Sequence, residues 1–210
     1  MTTPPWKWWD RSRVLISQVR SVTGDLERDT LLAALVAIEH RMGHRRGWDQ
    51  PARLWTLHLA DVDSGAIEAR TMPPRTWQSG HHRNPADALM AHAARLPDPP
   101  AGAPMVRFAD SPDGLAGVAF MAEGFSVPPA LLTAEQRTRA ADGERVALDH
   151  PERTEIRTLT AVDINGRVYH VQRFRDEDPT ARTQDTDRGR VPWALGRIAA
   201  QFRPTERKES

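Results

Sequence analysis

The sequence predicts an α+β fold, with a mainly antiparallel sheet of four to five strands flanked by two to three helices. Three observations support this class. Apolar residues recur with helical spacing over 25–42, apolar runs at 52–60 and 114–127 are typical of strands, and 154–177 alternates around an Asn-Gly pair like a hairpin. The order is helix, strand, helix, three strands and a last helix, so antiparallel pairing is expected.

The first predicted helix covers 25–42, where leucine, isoleucine and methionine recur at three- and four-residue spacing. Asp25 is suited to cap its start, and Gly43 stands where the left-handed residue after a helix is wanted. Arginines follow, in the place where the helix dipole favours positive charge. The next element is the strand 52–60, and both of its faces are largely apolar, so it is expected inside the sheet.

Residues 61–83 lose this periodicity and gather prolines and polar residues, which predicts a surface loop around one anchoring side chain, Trp77. A second helix follows. Asn84 is its predicted N-cap, and Pro85 suits its first position. After a proline-rich connector, the segment 114–127 predicts a buried strand.

The segment TAEQRTRAADGER predicts a short helix capped by Thr133. The alternating segment 154–177 then predicts a hairpin, in which Asn165–Gly166 supplies a two-residue type I′ turn. The charged stretch DEDPTARTQDTDRGR is expected to be a loop. A last helix is predicted near 192–202, with Pro192 at its start.

The chain has 210 residues, of which 39% are hydrophobic, and this is enough for one modest core. We predict a single α+β domain over 25–203. A Trp-rich extension precedes it at 1–24, and a disordered tail follows at 204–210. No apolar run has the length of a membrane span or the form of a signal peptide, and cysteine is absent. These features predict a cytoplasmic protein without membrane association.

Charge is balanced, with 29 basic against 28 acidic residues. This balance does not support the electrostatic footprint of a dedicated nucleic-acid binder. Nucleic-acid binding stays as an alternative, suited to a protein of a bacterial mobile element or phage, and its contacts would come from Arg41, Arg45, Arg46 and Arg53. Lys7 and Lys208 are the only lysines, a bias typical of a high-GC bacterial genome.

The histidines raise the question of metal-dependent catalysis. His40 and His44 have a zinc-like spacing, but Gly43 interrupts them and arginines surround them, so an ordinary helix end is predicted there. The first alternative function, ahead of nucleic-acid binding, is a metal-dependent hydrolase whose ligands would be His81, His82 and His92. No carboxylate stands at a diagnostic distance from them, and no nucleophile motif is present, so neither an enzyme activity nor a cofactor is predicted.

The tryptophans of the N-terminal extension, Trp6, Trp8 and Trp9, are costly to leave in water. They are expected to dock on the domain, on a second copy of the chain or on a partner. Together with the missing catalytic constellation, they predict a non-enzymatic binding or interaction protein. Its partner is expected to be a protein, with a homodimer as one assembly.

Three segments carry a family resemblance: Glu39-His40, then GWDQP at 47–51 running into a strand, and DHPER at 149–153 running into the hairpin. They resemble a family of uncharacterised actinobacterial cytoplasmic proteins. In that family GWDQP is usually followed by a second proline, where this chain has Ala52. The resemblance implies a fold and a bacterial context and leaves the activity open.

The GWDQP turn makes physical sense as a corner between helix and strand. Gly47 can take a positive φ, Trp48 can fill the gap between the helix end and the sheet, and the proline fixes the entry of the strand. Loop residues on a rigid scaffold often carry function. The candidate partner- or ligand-binding residues here are Trp48, Asp49, Gln50 and Arg53.

Overall fold

The computed structural model describes residues 15–16, 26–78, 84–98, 105–141, 144, 146–184 and 189–203. They form one antiparallel sheet with helices on both faces. Its strands are β1 (Leu15–Ile16), β2 (Arg53–Asp61), β3 (Ala66–Met72), β4 (Leu115–Ser126), β5 (Thr154–Asp163), β6 (Val168–Phe174) and β7 (Thr180–Gln184), in the order β1-β3-β2-β4-β5-β6-β7. The helices are α1 (Leu26–Arg46), α2 (Pro74–Trp77), α3 (Pro85–Ala94), α4 (Ala134–Ala141) and α5 (Arg190–Ala200).

The predicted class, α+β with an antiparallel sheet, is confirmed, but the number of elements was underestimated. The sheet has six strands of five residues or more together with the two-residue β1, where four to five were expected. Five α-helices are described, where two to three were expected. Strands β3 and β7 lie in segments that were predicted as loops.

Both missed strands have polar sequences. In β3, AIEARTM, Glu68 and Arg70 stand on one face, and their mutual contact replaces the apolar alternation that marks a strand. In β7, TARTQ, the strand is held by its pairing with β6 at the sheet edge and has little apolar content. Backbone pairing of this kind leaves no signal in hydrophobic periodicity.

Helix α1 is longer than predicted and passes through Gly43. The left-handed residue after the helix is Gly47, with φ 66°, and its N–H donates to the carbonyl of Gly43 at 3.2 Å. Gly43 serves a different purpose. A Cβ atom there would lie 2.9 Å from Nη1 of Arg173, so the missing side chain makes room for a guanidinium group.

The hairpin of β5 and β6 is confirmed, with Thr160 opposite His170 and Val162 opposite Val168. Its turn differs from the type I′ turn that was expected. Only Gly166 has a positive φ, at 90°, whereas a type I′ turn needs positive φ at both central residues. The Asp163 carboxylate accepts the N–H groups of Asn165 and Arg167. It thereby stabilises a connection in which three residues, 164–166, separate Asp163 from Arg167, whose carbonyl accepts the Asp163 N–H.

Two apolar cores lie on opposite faces of the sheet. Helix α1 covers one face, with Leu31, Leu35 and Ile38 against residues such as Trp55 and Leu159. Helices α3 and α5 cover the other face, and Trp77 is buried there as the predicted anchor. No helix in the described ranges has the length and apolarity that crossing a membrane requires.

Two predicted helix caps are confirmed. The Asn84 side chain accepts the N–H of Ala86 at 3.0 Å at the start of α3. At the start of α4, the Thr133 hydroxyl accepts the N–H of Gln136 at 3.1 Å, and the Gln136 side chain accepts the N–H of Thr133. This reciprocal pair is a capping box.

Strand β4 is the longest strand and projects beyond one of its neighbours. It pairs with β2 only as far as Met121, which lies opposite Arg53, but it pairs with β5 as far as Ser126. The last five residues of β4 therefore have a described strand on one side only. This projecting end positions the candidate site.

Candidate functional site

The GWDQP turn lies against the projecting end of β4. The Trp48 ring is flanked by two guanidinium groups, with Cζ of Arg157 at 4.8 Å and Cζ of Arg175 at 5.1 Å from its centroid. The N–H of Gln50 donates to Oε2 of Glu123 at 2.9 Å. Asp49 is exposed and has φ 66°. The turn is thus attached to the sheet through arginine and glutamate side chains.

Arg157 of β5 is the centre of this attachment and is fully buried. Its Nε and Nη2 atoms donate to Oε1 of Glu123 at 2.8 Å and 2.6 Å. Its Nη1 donates to Oε1 of Glu39 at 3.3 Å, and Nη2 also donates to the carbonyl of Gly47. One guanidinium group therefore joins helix α1, the GWDQP turn and strand β4.

A second arginine completes the cluster. Nη2 of Arg173 lies 2.9 Å from Oε2 of Glu39, which is also fully buried. This contact is an ion pair and not a hydrogen bond, because no N–H group in the described part of the chain is aligned to donate to Oε2 of Glu39. Removal of two such charges from water is costly, and only mutual pairing offsets the cost.

Strand register explains why these charges meet. Glu123 of β4 lies directly opposite Arg157 of β5, which lies directly opposite Arg173 of β6. The three side chains form one row on the face that α1 covers, and Glu39 approaches that row from the helix. We name Glu39, Glu123, Arg157 and Arg173 the buried ion cluster.

Beyond the ion cluster, the end of β4 borders a cleft of about 580 Å³. Residues 123–127 form one wall, and the start of α3, the end of α4 and residues 146–148 form the others. Its apolar lining includes Phe125, Val127, Leu132, Val146, Ala147 and Leu148. Glu123 and Glu144 are its charged lining residues, and the described lining has no arginine, lysine or histidine.

The DHPER segment supports the same cleft. Cζ of Arg153 lies 4.6 Å from the centroid of the Phe125 ring, and Nη1 of Arg153 donates to the carbonyl of Leu148. The His150 ring accepts the N–H of Glu152 at 3.1 Å, so this histidine has a structural bond. Both GWDQP and DHPER therefore converge on β4, one through Glu123 and the other through Phe125.

The residues proposed from the sequence fall into three groups. Trp48 and Gln50 contact the ion cluster, whereas Arg53 opens β2 with a buried Nε atom. His92 lies on α3, where burial first and the charge of Arg95 second lower its pKa. Trp6, Trp8, Trp9, His81 and His82 lie outside the described residues, as do the side chains of His44, Arg45 and Arg46.

Within the described ranges, no three histidine or carboxylate side chains are grouped to hold a metal ion.

Sequence reasoning missed Glu123, Phe125, Arg157 and Arg173. A signal was present in the hairpin, where Arg157 alternates with the buried residues Leu159 and Ala161 on one strand face. A charged residue at an inward position predicts a buried partner, but the partner could not be named without the register.

A second polar network lies at the opposite end of β2. Nδ1 of His58 lies 2.9 Å from the carbonyl of Asp113, and Nε2 lies 2.9 Å from the Thr56 hydroxyl. Burial is the main cause that lowers the pKa of His58. Arg70 bonds Glu68 at 2.9 Å and also Asp113 beside it. Because the Thr56 hydroxyl is buried, this network is structural and offers no reachable nucleophile.

Comparison with known proteins identifies the family of this chain. Neither a curated protein nor a solved structure matches the chain. The model of one protein family, described as PPA1309-like protein, matches residues 31–191. The matched region covers more than half of the 210 residues and includes most of α1, the GWDQP turn, β4 and the hairpin. The chain therefore belongs to the PPA1309-like protein family.

Proposed function

We propose that this protein is a non-enzymatic binding protein that holds a segment of a partner protein in the cleft at the end of β4. One observation carries the proposal: GWDQP and DHPER both contact the projecting end of β4, through Glu123 and Phe125, and this end borders an apolar cleft. The two segments lie about 100 positions apart in the chain. Because both segments contact the same strand end, we assign them a common role in forming one binding site.

Exposed apolar side chains support a binding role for the cleft. Phe125 is 37% exposed and Leu148 is 40% exposed, and both line the cleft. Leu131, which precedes the lining residue Leu132 in the chain, is 48% exposed. Grouped exposed apolar residues mark interaction sites more often than isolated ones do.

The chemistry of the lining favours binding over catalysis. Among the described lining residues, Glu123 already bonds Arg157 and Gln50, and Glu144 is paired with Arg139. A catalytic cleft needs a base or nucleophile with an orienting partner, and these carboxylates are engaged elsewhere. The buried ion cluster instead holds the wall of the cleft rigid, which lowers the entropic cost of binding.

A photo-crosslinking experiment tests the proposal. A benzophenone amino acid replaces Leu148 in the cleft or, as the control, Val62 at the far end of β2, which is 61% exposed. We expect a discrete crosslinked protein in the native host from position 148 and none from position 62. The protein identified is then purified, and F125D is expected to weaken its binding at least about tenfold. Equal crosslinking from both positions, or unchanged binding by F125D, contradicts the proposal.

We also propose the source of the protein, its cellular location, its family marks and its assembly. We infer an actinobacterial source and a cytoplasmic location, which the arginine-rich, lysine-poor and cysteine-free composition supports. We also propose GWDQP and DHPER as the marks of the family, since each contacts a residue that lines the cleft, Glu123 or Phe125. A homodimer stays a proposed assembly, and sedimentation of the purified chain over a range of concentrations tests it.

A further inference from the structure

We propose that the occupant of the cleft is an extended peptide segment bearing basic side chains, which pairs as an added strand with the open edge of β4. This inference rests on the proposed function and specifies the mode of binding and the class of ligand. Strand addition of this kind draws affinity from main-chain hydrogen bonds and specificity from alternate side chains.

The open edge begins where β2 stops. Along β2 the ladder with β4 ends at Arg53 opposite Met121. In the continued register Pro51 would lie opposite Glu123, and proline has no N–H to donate. The last residue of GWDQP therefore ends the ladder, and among the described residues no paired strand continues beside the next part of β4 on that side.

The direction of the backbone groups follows from the pairing on the other side. The N–H of Arg175 donates to the carbonyl of Glu155, so the backbone of Glu155 faces β6. Backbone groups alternate along a strand, so Thr154 and Ile156 face β4, where their partners are Ser126 and Gly124. The intervening residues of β4, Glu123 and Phe125, direct their N–H and C=O groups to the open side.

These backbone groups lie beside the cleft. Gly124 and Phe125 are exposed, and residues 123–127 all line it. Within the described ranges no strand lies along this side of the β4 end. An extended segment in the cleft would supply the missing hydrogen-bond partners for Phe125, which a helix with internally satisfied backbone groups cannot do.

The charged side chains of the cleft lining favour one class of extended peptide, the class that carries basic side chains. The described lining carries the carboxylates of Glu123 and Glu144 and no basic side chain. The Glu144 side chain forms a surface ion pair with Arg139 in which both side chains are about half exposed, and such pairs contribute little. An incoming arginine or lysine can replace that partner at small cost, whereas an acidic side chain gains no pairing from Glu123 or Glu144. The Arg153 guanidinium beside the cleft is stacked on the Phe125 ring.

The test uses synthetic peptides of about eight residues, long enough for one added strand. The probe alternates valine with arginine and carries a fluorophore, and binding to the full chain is measured by fluorescence anisotropy. One matched peptide replaces arginine with glutamate, and another is N-methylated at alternate positions to remove main-chain donors. We expect the arginine peptide to bind at least about tenfold more tightly than either control.

Two variants of the protein complete the design. F125A removes the ring and keeps the N–H, whereas F125P removes both, at a position where an edge strand tolerates proline. We expect F125P to weaken binding of the arginine peptide at least about tenfold beyond F125A. Thermal melting of both variants checks folding. The N-methylated peptide tests the same hydrogen bonds in the unaltered protein if F125P does not fold.

Three results would overturn the inference: no binding of the arginine peptide at millimolar concentration, equal binding of the N-methylated peptide, or equal binding by folded F125P and F125A. A partner crosslinked at position 148 that binds F125P and F125A equally but does not bind F125D leaves the proposed function standing and removes strand addition. Absence of both the crosslinked partner and peptide binding removes both proposals.

Discussion

Arg157 of strand β5 forms a fully buried ion pair with Glu39 of helix α1, with 3.3 Å between Nη1 and Oε1, across 118 positions of sequence. Neither side chain of the pair is accessible to solvent. An arrangement of α1 and β5 that separated the two side chains would leave a buried charge unpaired, which is costly. The pair therefore favours the observed packing of α1 on the sheet over alternatives. We therefore assign to it the placement of the β4 end on which the cleft depends.

Removal of the Arg157 guanidinium should be strongly destabilising. In R157A the carboxylates of Glu39 and Glu123 each lose a charged donor in a buried place, and we expect a loss of about 3–5 kcal/mol in the free energy of unfolding. R157K should also lose stability, since one ammonium group cannot reach the acceptors that the guanidinium joins. Urea denaturation measures both. R139A, which removes an exposed ion pair, is the control and should leave the unfolding midpoint unchanged.

The His58 network predicts a loss of stability in mild acid. Burial lowers the pKa of His58, so the folded protein holds the ring neutral at a pH where the unfolded chain, with a pKa near 6.5, takes up a proton. The unfolded state binds more protons below that value, and stability therefore falls as pH decreases through it. Denaturant midpoints at about pH 7.5 and about pH 5.5 measure the change.

His92 and His170 shift in the same direction, since burial lowers the pKa of each. A comparison of the wild type with H58N separates His58 from them, because their contributions are common to both proteins. The wild type should lose more stability than H58N over this pH range. An identical loss in the two proteins would show that His58 is not the residue responsible.

The Asp163 carboxylate should be needed for its oxygen atoms more than for its charge. It accepts the N–H groups of Asn165 and Arg167 at 2.8 Å and 2.9 Å and the Tyr169 hydroxyl at 2.9 Å, while burial raises its pKa. D163A leaves these donors unsatisfied and should cost at least about 1–3 kcal/mol in the free energy of unfolding. D163N keeps an acceptor for the turn and loses the charge that burial disfavours.

The loss in D163N should therefore be clearly smaller than in D163A, and thermal melting at neutral pH compares them. The raised pKa of Asp163 also predicts the direction in which stability changes with pH in acid. As pH rises from about 3.8 towards the folded pKa, the wild type loses the stability that protonation of Asp163 contributes, and D163N does not. A larger loss in D163N than in D163A would contradict this account.

Gly47 should be the sensitive glycine of the α1 terminus. Its φ of 66° is left-handed and nothing lies within 4 Å of a Cβ placed there, so only backbone strain opposes a side chain. G47A should cost about 1–2 kcal/mol in the free energy of unfolding. G47N should cost less, because asparagine tolerates this conformation better than alanine does. Equal losses in the two variants would argue against a left-handed residue 47.

Local features of the chain predicted much of the fold. The Thr133 and Asn84 caps, the interior position of β2 and the pairing of β5 with β6 all follow from residues near one another in sequence. The end of α1 was misplaced at Gly43, because two glycines stood four positions apart and sequence spacing does not show which has the positive φ. Only the neighbouring Arg173 explains the first glycine.

The candidate site was predicted only in part. GWDQP was identified as a corner, and Trp48 and Gln50 do lie beside the buried charges. Glu123 and Phe125 were absent from that prediction. They lie on a strand that looked wholly apolar at its start and turns polar only at its projecting end. Their importance appears when the length of β4 is compared with the lengths of its neighbours.

Local sequence features account for the class of the fold, most of the helices and strands, and the turn that joins α1 to β2. These depend on periodicity, capping and the conformational limits of glycine and proline, which act over a few residues. The tertiary structure decided that Glu39, Glu123, Arg157 and Arg173 share one buried cluster and that β4 extends past β2 to border a cleft. Strand register sets both, and register is a relation between distant segments that no local pattern contains.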